Sequence, residues 1–98
     1  SGRLIVYPAG IEHEFHQHKD VIRAAVIGVP HVKWGETPVA FVVTRSDMDV
    51  GRDALMDWLN TRLSKHQRVS DLVVQQNDFL RNTLGKVPKN ELEAAYIQ

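Results

Sequence analysis

Near the end of the chain, FLRNTLGKVPKNEL places Gly85 and Lys86 in a turn between a short apolar piece and a helix start. A lysine after glycine in such a turn can extend its ammonium into a neighbouring cavity. Glycine allows close backbone approach, and the point charge suits a phosphate or a carboxylate. The same residues also describe an exposed lysine in a surface turn. The motif falls short of the phosphate loop GxxxxGK[ST], because the first glycine is missing and Val87 replaces the hydroxyl residue. A self-contained nucleotide site is therefore not expected. Trp34, in the polar run Lys33-Trp34-Gly35-Glu36, is either tucked under the domain or offered to a partner's flat ring. The basic, ring-bearing turn Lys65-His66-Gln67-Arg68 either compensates a helix C-terminus or contacts an anion. His13, His16 and His18 fall within six residues, but only the first two share a helical face and no acidic or cysteine ligand completes a set. They read as solvated helix residues, and no metal is called for. His31 and His66 are isolated, and no serine forms a readable triad with either.

The scaffold for these residues is small. Ninety-eight residues make one domain, 43% hydrophobic and 24% charged, with twelve basic side chains against twelve acidic ones. Zero net charge offers no global field for nucleic acid or an anionic membrane, so any phosphate contact must be local. The absence of cysteine excludes a disulfide scaffold and thiol catalysis, and fits the cytoplasm. No apolar run approaches the roughly 20 residues of a membrane span. The start at Ser1-Gly2 rather than methionine reads as a processed or excised piece.

Along the chain, Tyr7-Pro8 opens a first helix with Ile11 and Phe15 at helical spacing and a turn at His18. Val21–Val29 reads as a strand buried on both faces, ended by Gly28 and Pro30. PHVKWGETP reads as a loop, and Val39–Thr44 as a second core strand, antiparallel to the first because the gap is too short for a helical crossover. Gly51 or Asp53 caps a helix whose stripe is Leu55, Leu59 and Leu63, with Trp58 and Arg62 alongside. Leu72–Gln75 forms a third strand, Phe79-Leu80 a short apolar piece, and Pro88 opens a last helix in which Leu92, Ala95 and Tyr96 share a face. The predicted order is β-α-β-β-α-β-α. It is an α+β arrangement in which three helices flank a small, mostly antiparallel sheet.

In chain order, SG…YPA-IE, AAVIGVP…KWGE-PVAFVV, LSKH-R and RNTLGKVPKNEL together resemble the small C-terminal domain of the adenylate-forming acyl-CoA synthetases. The last block looks most like malonyl-, acyl- or aryl-CoA ligases. The resemblance implies that residues 1–98 are a single C-terminal lid domain whose partner, the N-terminal AMP-binding domain, is absent from this chain. It implies ATP and CoA as substrates of the full enzyme, with Mg2+ reaching it through the large domain and none of these bound by the small domain alone. Lys86 falls on the lysine that enters the large domain for adenylation, with Gly85 beside the nucleotide. Gly2 and Arg3 fall on the strand lining the pantetheine tunnel, and Trp34, His66 and Arg68 on CoA contacts of the benzoate-ligase branch. Alone, the domain is expected to be inactive.

The chain departs from the family pattern at several points. Arg3 stands for a second glycine and could narrow the tunnel. Gly10 stands for a glutamate, in a helix that glycine weakens by roughly 1 kcal/mol. Leu80 and Val69 each replace a usual proline. These departures give weight to the alternative of a free-standing interaction or regulatory module that keeps the fold without the chemistry.

Overall fold

The structure, a computed structural model, describes residues 7–33, 35–45, 51–64, 67–77 and 88–97. Its elements run α1 (Pro8–Phe15), β1 (Val21–His31), β2 (Gly35–Thr44), α2 (Arg52–Asn60), β3 (Asp71–Gln75) and α3 (Lys89–Ile97). Any strand before Tyr7, and the Phe79-Leu80 piece, lie outside the described residues.

The three strands form one sheet in the order β1-β2-β3. β1 and β2 pair antiparallel from Val21↔Thr44 to His31↔Gly35, while β3 joins β2 in parallel, from Val39↔Asp71 to Val43↔Gln75. The parallel pairing follows from the α2 crossover, since a parallel neighbour needs a connection of a dozen residues or more.

Both strands of the hairpin run further than their apolar cores predict. β1 continues through Gly28 and Pro30 to His31, and β2 begins at Gly35, so PHVKWGETP is mostly strand. Pro30 is tolerated because β1 lies at the edge of the sheet. Pro38 sits on the central strand, but its carbonyl accepts from Ser70 N–H (3.0 Å), just before β3 begins. Its nitrogen faces that same side, so the β1–β2 ladder loses no donor. Gly35 has φ 81°, a left-handed conformation that closes the hairpin and favours glycine.

Side-chain alternation divides the core into two layers. Ile11, Phe15, Val26, Ala40, Val42, Leu55, Leu59, Val69 and Leu72 pack between the sheet and α1 with α2. Ala25, Ile27, Val29, Val39, Phe41 and Val43 form the opposite layer, against which Leu92 and Tyr96 of α3 pack. The expected burial of β1 on both faces holds only for Ala25–Val29; Ile22 and Arg23, near its start, are exposed. α2 takes Gly51 as its N-cap, without a side-chain cap, and Asp53 instead lies in the first turn. The helix stops at Asn60, so Leu63 packs against the core from beyond its end rather than from a third turn of the stripe.

Candidate functional site

Of the residues singled out above, Gly2, Arg3, Trp34, His66, Gly85 and Lys86 lie outside the described residues, and Arg68 is exposed. What the fold provides is the placement of the segments next to them. The turn after α2 is fixed by Asn60, whose side chain bonds Val69 twice: Oδ1 accepts from Val69 N–H (3.0 Å) and Nδ2 donates to Val69 O (3.3 Å). A proline at position 69 could not donate the first of these bonds, so valine there is matched by Asn60. Gln67 Oε1 accepts from Tyr7 N–H at 3.3 Å, across sixty residues of sequence. The start of α1 and the basic turn are thereby neighbours. Between them lies a shallow cleft of about 230 Å³ lined by residues that include Tyr7, Gly10, Glu14, Arg62 and Gln67. At Gly10 a Cβ would meet nothing within 4 Å, so a side chain there would project into open space.

Of the three clustered histidines, His13 and His16 are exposed, while His18, beyond the end of α1, is packed. His18 meets Trp58 edge-on, with ring centroids 4.8 Å apart, and its Nδ1 accepts from Asp20 N–H at 3.1 Å. Arg62 lies over the other ring system at 4.2 Å from the Trp58 centroid. No group of three His, Cys, Asp or Glu side chains that could hold a metal ion occurs among the described residues.

α3 begins three residues after Lys86 and has no buried residue. It is tied down at both ends by polar contacts. At its start, Lys89 Nζ lies 2.7 Å from Glu12 Oε2, an oxygen that also accepts from Val26 N–H of the β1 edge at 2.8 Å. Near its end, Tyr96 Oη donates to Asp71 Oδ2 at 2.6 Å, and the Tyr96 ring meets Phe41 edge-on. Asp71 Oδ1 accepts from Arg52 Nη2 and from Leu72 N–H, while Arg52 Nε donates to Leu72 O at 3.1 Å. These bonds satisfy the outer edge of β3 with side chains, as Glu12 does for β1, which blocks strand addition at those points. The network shifts the groups within it. The Tyr96 hydroxyl first and the Arg52 guanidinium second hold the Asp71 carboxyl below its ordinary value. The bond to Asp71 raises both the Tyr96 phenol and the Arg52 guanidinium. The apolar stripe marked Tyr96 in the sequence; nothing local marked Asp71, Arg52, Glu12 or Asn60, whose partners are distant in the chain.

The family model "AMP-binding enzyme C-terminal domain" matches residues 10–86. The chain belongs to that family. As an AMP-binding enzyme C-terminal domain it is similar to the feruloyl-CoA synthase of an Amycolatopsis species, 36% identical over 97 residues, which cover 98% of this chain and 19% of that protein. It also resembles the crystal structure of ATP-bound MatB from Rhodopseudomonas palustris, with a TM-score of 0.84 and 33% identity over 97% of this chain and 20% of that one. The amide bond synthetase McbA from Marinactinospora thermotolerans matches with a TM-score of 0.83 and 26% identity, over 93% of this chain and 18% of that one. The chain thus spans about a fifth of the length of these relatives. No helix among the described residues of this AMP-binding enzyme C-terminal domain is long and apolar enough to cross a membrane.

Proposed function

We propose that the chain is the mobile C-terminal domain of an ATP-dependent acid–CoA ligase, working with an N-terminal AMP-binding domain. The observation that carries the reading is a family match that ends on Lys86 itself, supported by relatives named as CoA ligases. In the first step, a carboxylate oxygen attacks the α-phosphorus of ATP, forming the acyl-adenylate as the bond to pyrophosphate breaks. In the second, the sulfur of CoA attacks the acyl carbonyl, its proton is lost, and AMP leaves.

Lys86 is assigned to the first step. Its ammonium stabilises negative charge on the carboxylate and phosphoryl oxygens, where a point cation on a flexible stem adapts to developing charge. A hinged rotation then replaces this face by one bearing Gly2, Arg3, Trp34, His66 and Arg68 toward CoA. Arg68 is exposed, as a ligand contact on that face requires. The nucleotide itself is bound by the large domain, so the isolated chain is inactive.

Pyrophosphate exchange tests the reading. The chain is joined to the AMP-binding domain of the Amycolatopsis relative in place of that enzyme's own C-terminal part. Lys86→Ala should lower exchange by about a hundredfold or more, within the range of a lost charge-stabilising group. Exchange equal to that of the unsubstituted protein would remove Lys86 from the chemistry and leave a fold kept for interaction alone.

A further inference from the structure

We propose that the Glu12–Lys89 ion pair is a positioning device for Lys86, fixing the first turn of α3 for the adenylate-forming step. The inference rests on the adenylation role proposed for Lys86. Glu12 is not a wandering surface carboxylate: its Oε2 is held by Val26 N–H at 2.8 Å while it pairs with Lys89 Nζ at 2.7 Å. Its side chain is 22% exposed, against 41% for Lys89, so the anchor is the more enclosed partner. Through that oxygen, the start of α3 is referred directly to a strand of the sheet.

Beside this ion pair, the first turn of α3 is held to the sheet by the partly buried Leu92. The helix contributes no buried residue, and of its apolar contacts Leu92 closes the first turn while Tyr96 lies further along. The Tyr96–Asp71 bond secures the far end. Lys86 and Lys89 are three residues apart, at most about 11 Å of extended chain, so the position of Lys89 bounds that of Lys86. Misplacing a reacting group by about 1 Å can cost about a hundredfold in rate. Glu12 and Lys89 touch no reacting atom; they act through Lys86, and only the step that uses Lys86 should respond.

The joined enzyme described above is compared with its Glu12→Gln, Lys89→Met and Lys89→Arg variants. Glutamine keeps an acceptor for Val26 N–H and removes only the charge. Pyrophosphate exchange should fall by about tenfold in the first two and stay within about twofold in Lys89→Arg. Thioester formation from preformed acyl-adenylate and CoA should remain within about twofold in all three. Unchanged exchange in Glu12→Gln and Lys89→Met, with Lys86→Ala impaired, overturns the positioning role alone. Unchanged exchange in Lys86→Ala overturns the adenylation reading and this inference together. A second measurement needs no catalysis: in the 98-residue chain, Lys89→Met should speed amide exchange at Glu91 and Leu92, which bond to Pro88 O, by about tenfold relative to Ala95. Equal rates overturn the proposal whatever the joined enzyme does.

Discussion

At Asp71 one carboxylate gathers a phenol, a guanidinium and a backbone amide from β3 and two helices. The bond from Tyr96 is the largest cause of its lowered pKa. Because the folded value lies below the unfolded value of about 3.9, the contribution of Asp71 is complete above that pH and is lost as pH falls through the folded value. Tyr96 runs the other way. Its raised folded value means a contribution complete below about pH 10 and lost as pH rises through that value. Tyr96→Phe keeps the ring against Phe41 and removes the bond, so it should cost about 1 kcal/mol at neutral pH. The difference from the parent should shrink below about pH 4 and again above about pH 10. Urea unfolding of both proteins across that range checks this. A difference that is constant with pH would mean that Asp71 and Tyr96 are not coupled as described.

At the scale of elements, two connections place the segments that bear the assigned residues. Asn60→Ala leaves the part-buried Val69 N–H without its acceptor and should cost about 1–3 kcal/mol. Asn60→Asp keeps that acceptor and should cost less. Thermal unfolding ranks the two, and equal losses would rule out the bond as the cause. Gly35→Ala forces a side chain into φ 81° and should cost about 1–2 kcal/mol by the same measurement. Most of the elements were legible because their apolar periodicity is strong: VIRAAVIGV and VAFVVT for the hairpin, Leu55 and Leu59 for α2, Leu92 and Tyr96 for α3. The ends of the hairpin were not, since Pro30, Pro38, Gly28 and Gly35 read locally as turn residues. Only the sheet order, which leaves Pro30 on an edge and aims Pro38 past the ladder, makes them strand residues. The parallel direction of β3 depends on where the crossover returns, which no local pattern records. The family was legible through the order of its motifs, while the polar ties holding α3 depend on contacts remote in sequence.

Across the whole molecule the two layers of the sheet are unequal. On one face, Ile11, Phe15, Leu55 and Leu59 are each at most 1% exposed, and two helices close the layer. On the other, α3 brings Leu92 and Tyr96, both only partly buried. Deleting a fully buried leucine costs the transfer term and a cavity term, about 2–5 kcal/mol. A partly buried leucine can be replaced by water at its rim and costs less. Leu59→Ala should therefore weaken global unfolding by about 2–5 kcal/mol, and Leu92→Ala by less than half of that. The same asymmetry predicts a sub-global opening. In native-state hydrogen exchange at low denaturant, amides of α3 should exchange through an opening of lower free energy than those of β2, as expected for a unit with few buried contacts. Leu92→Ala should lower the α3 opening and leave the β2 amides nearly unchanged, whereas Leu59→Ala should lower both. A single free energy shared by α3 and β2, shifted equally by both substitutions, would show one cooperative unit.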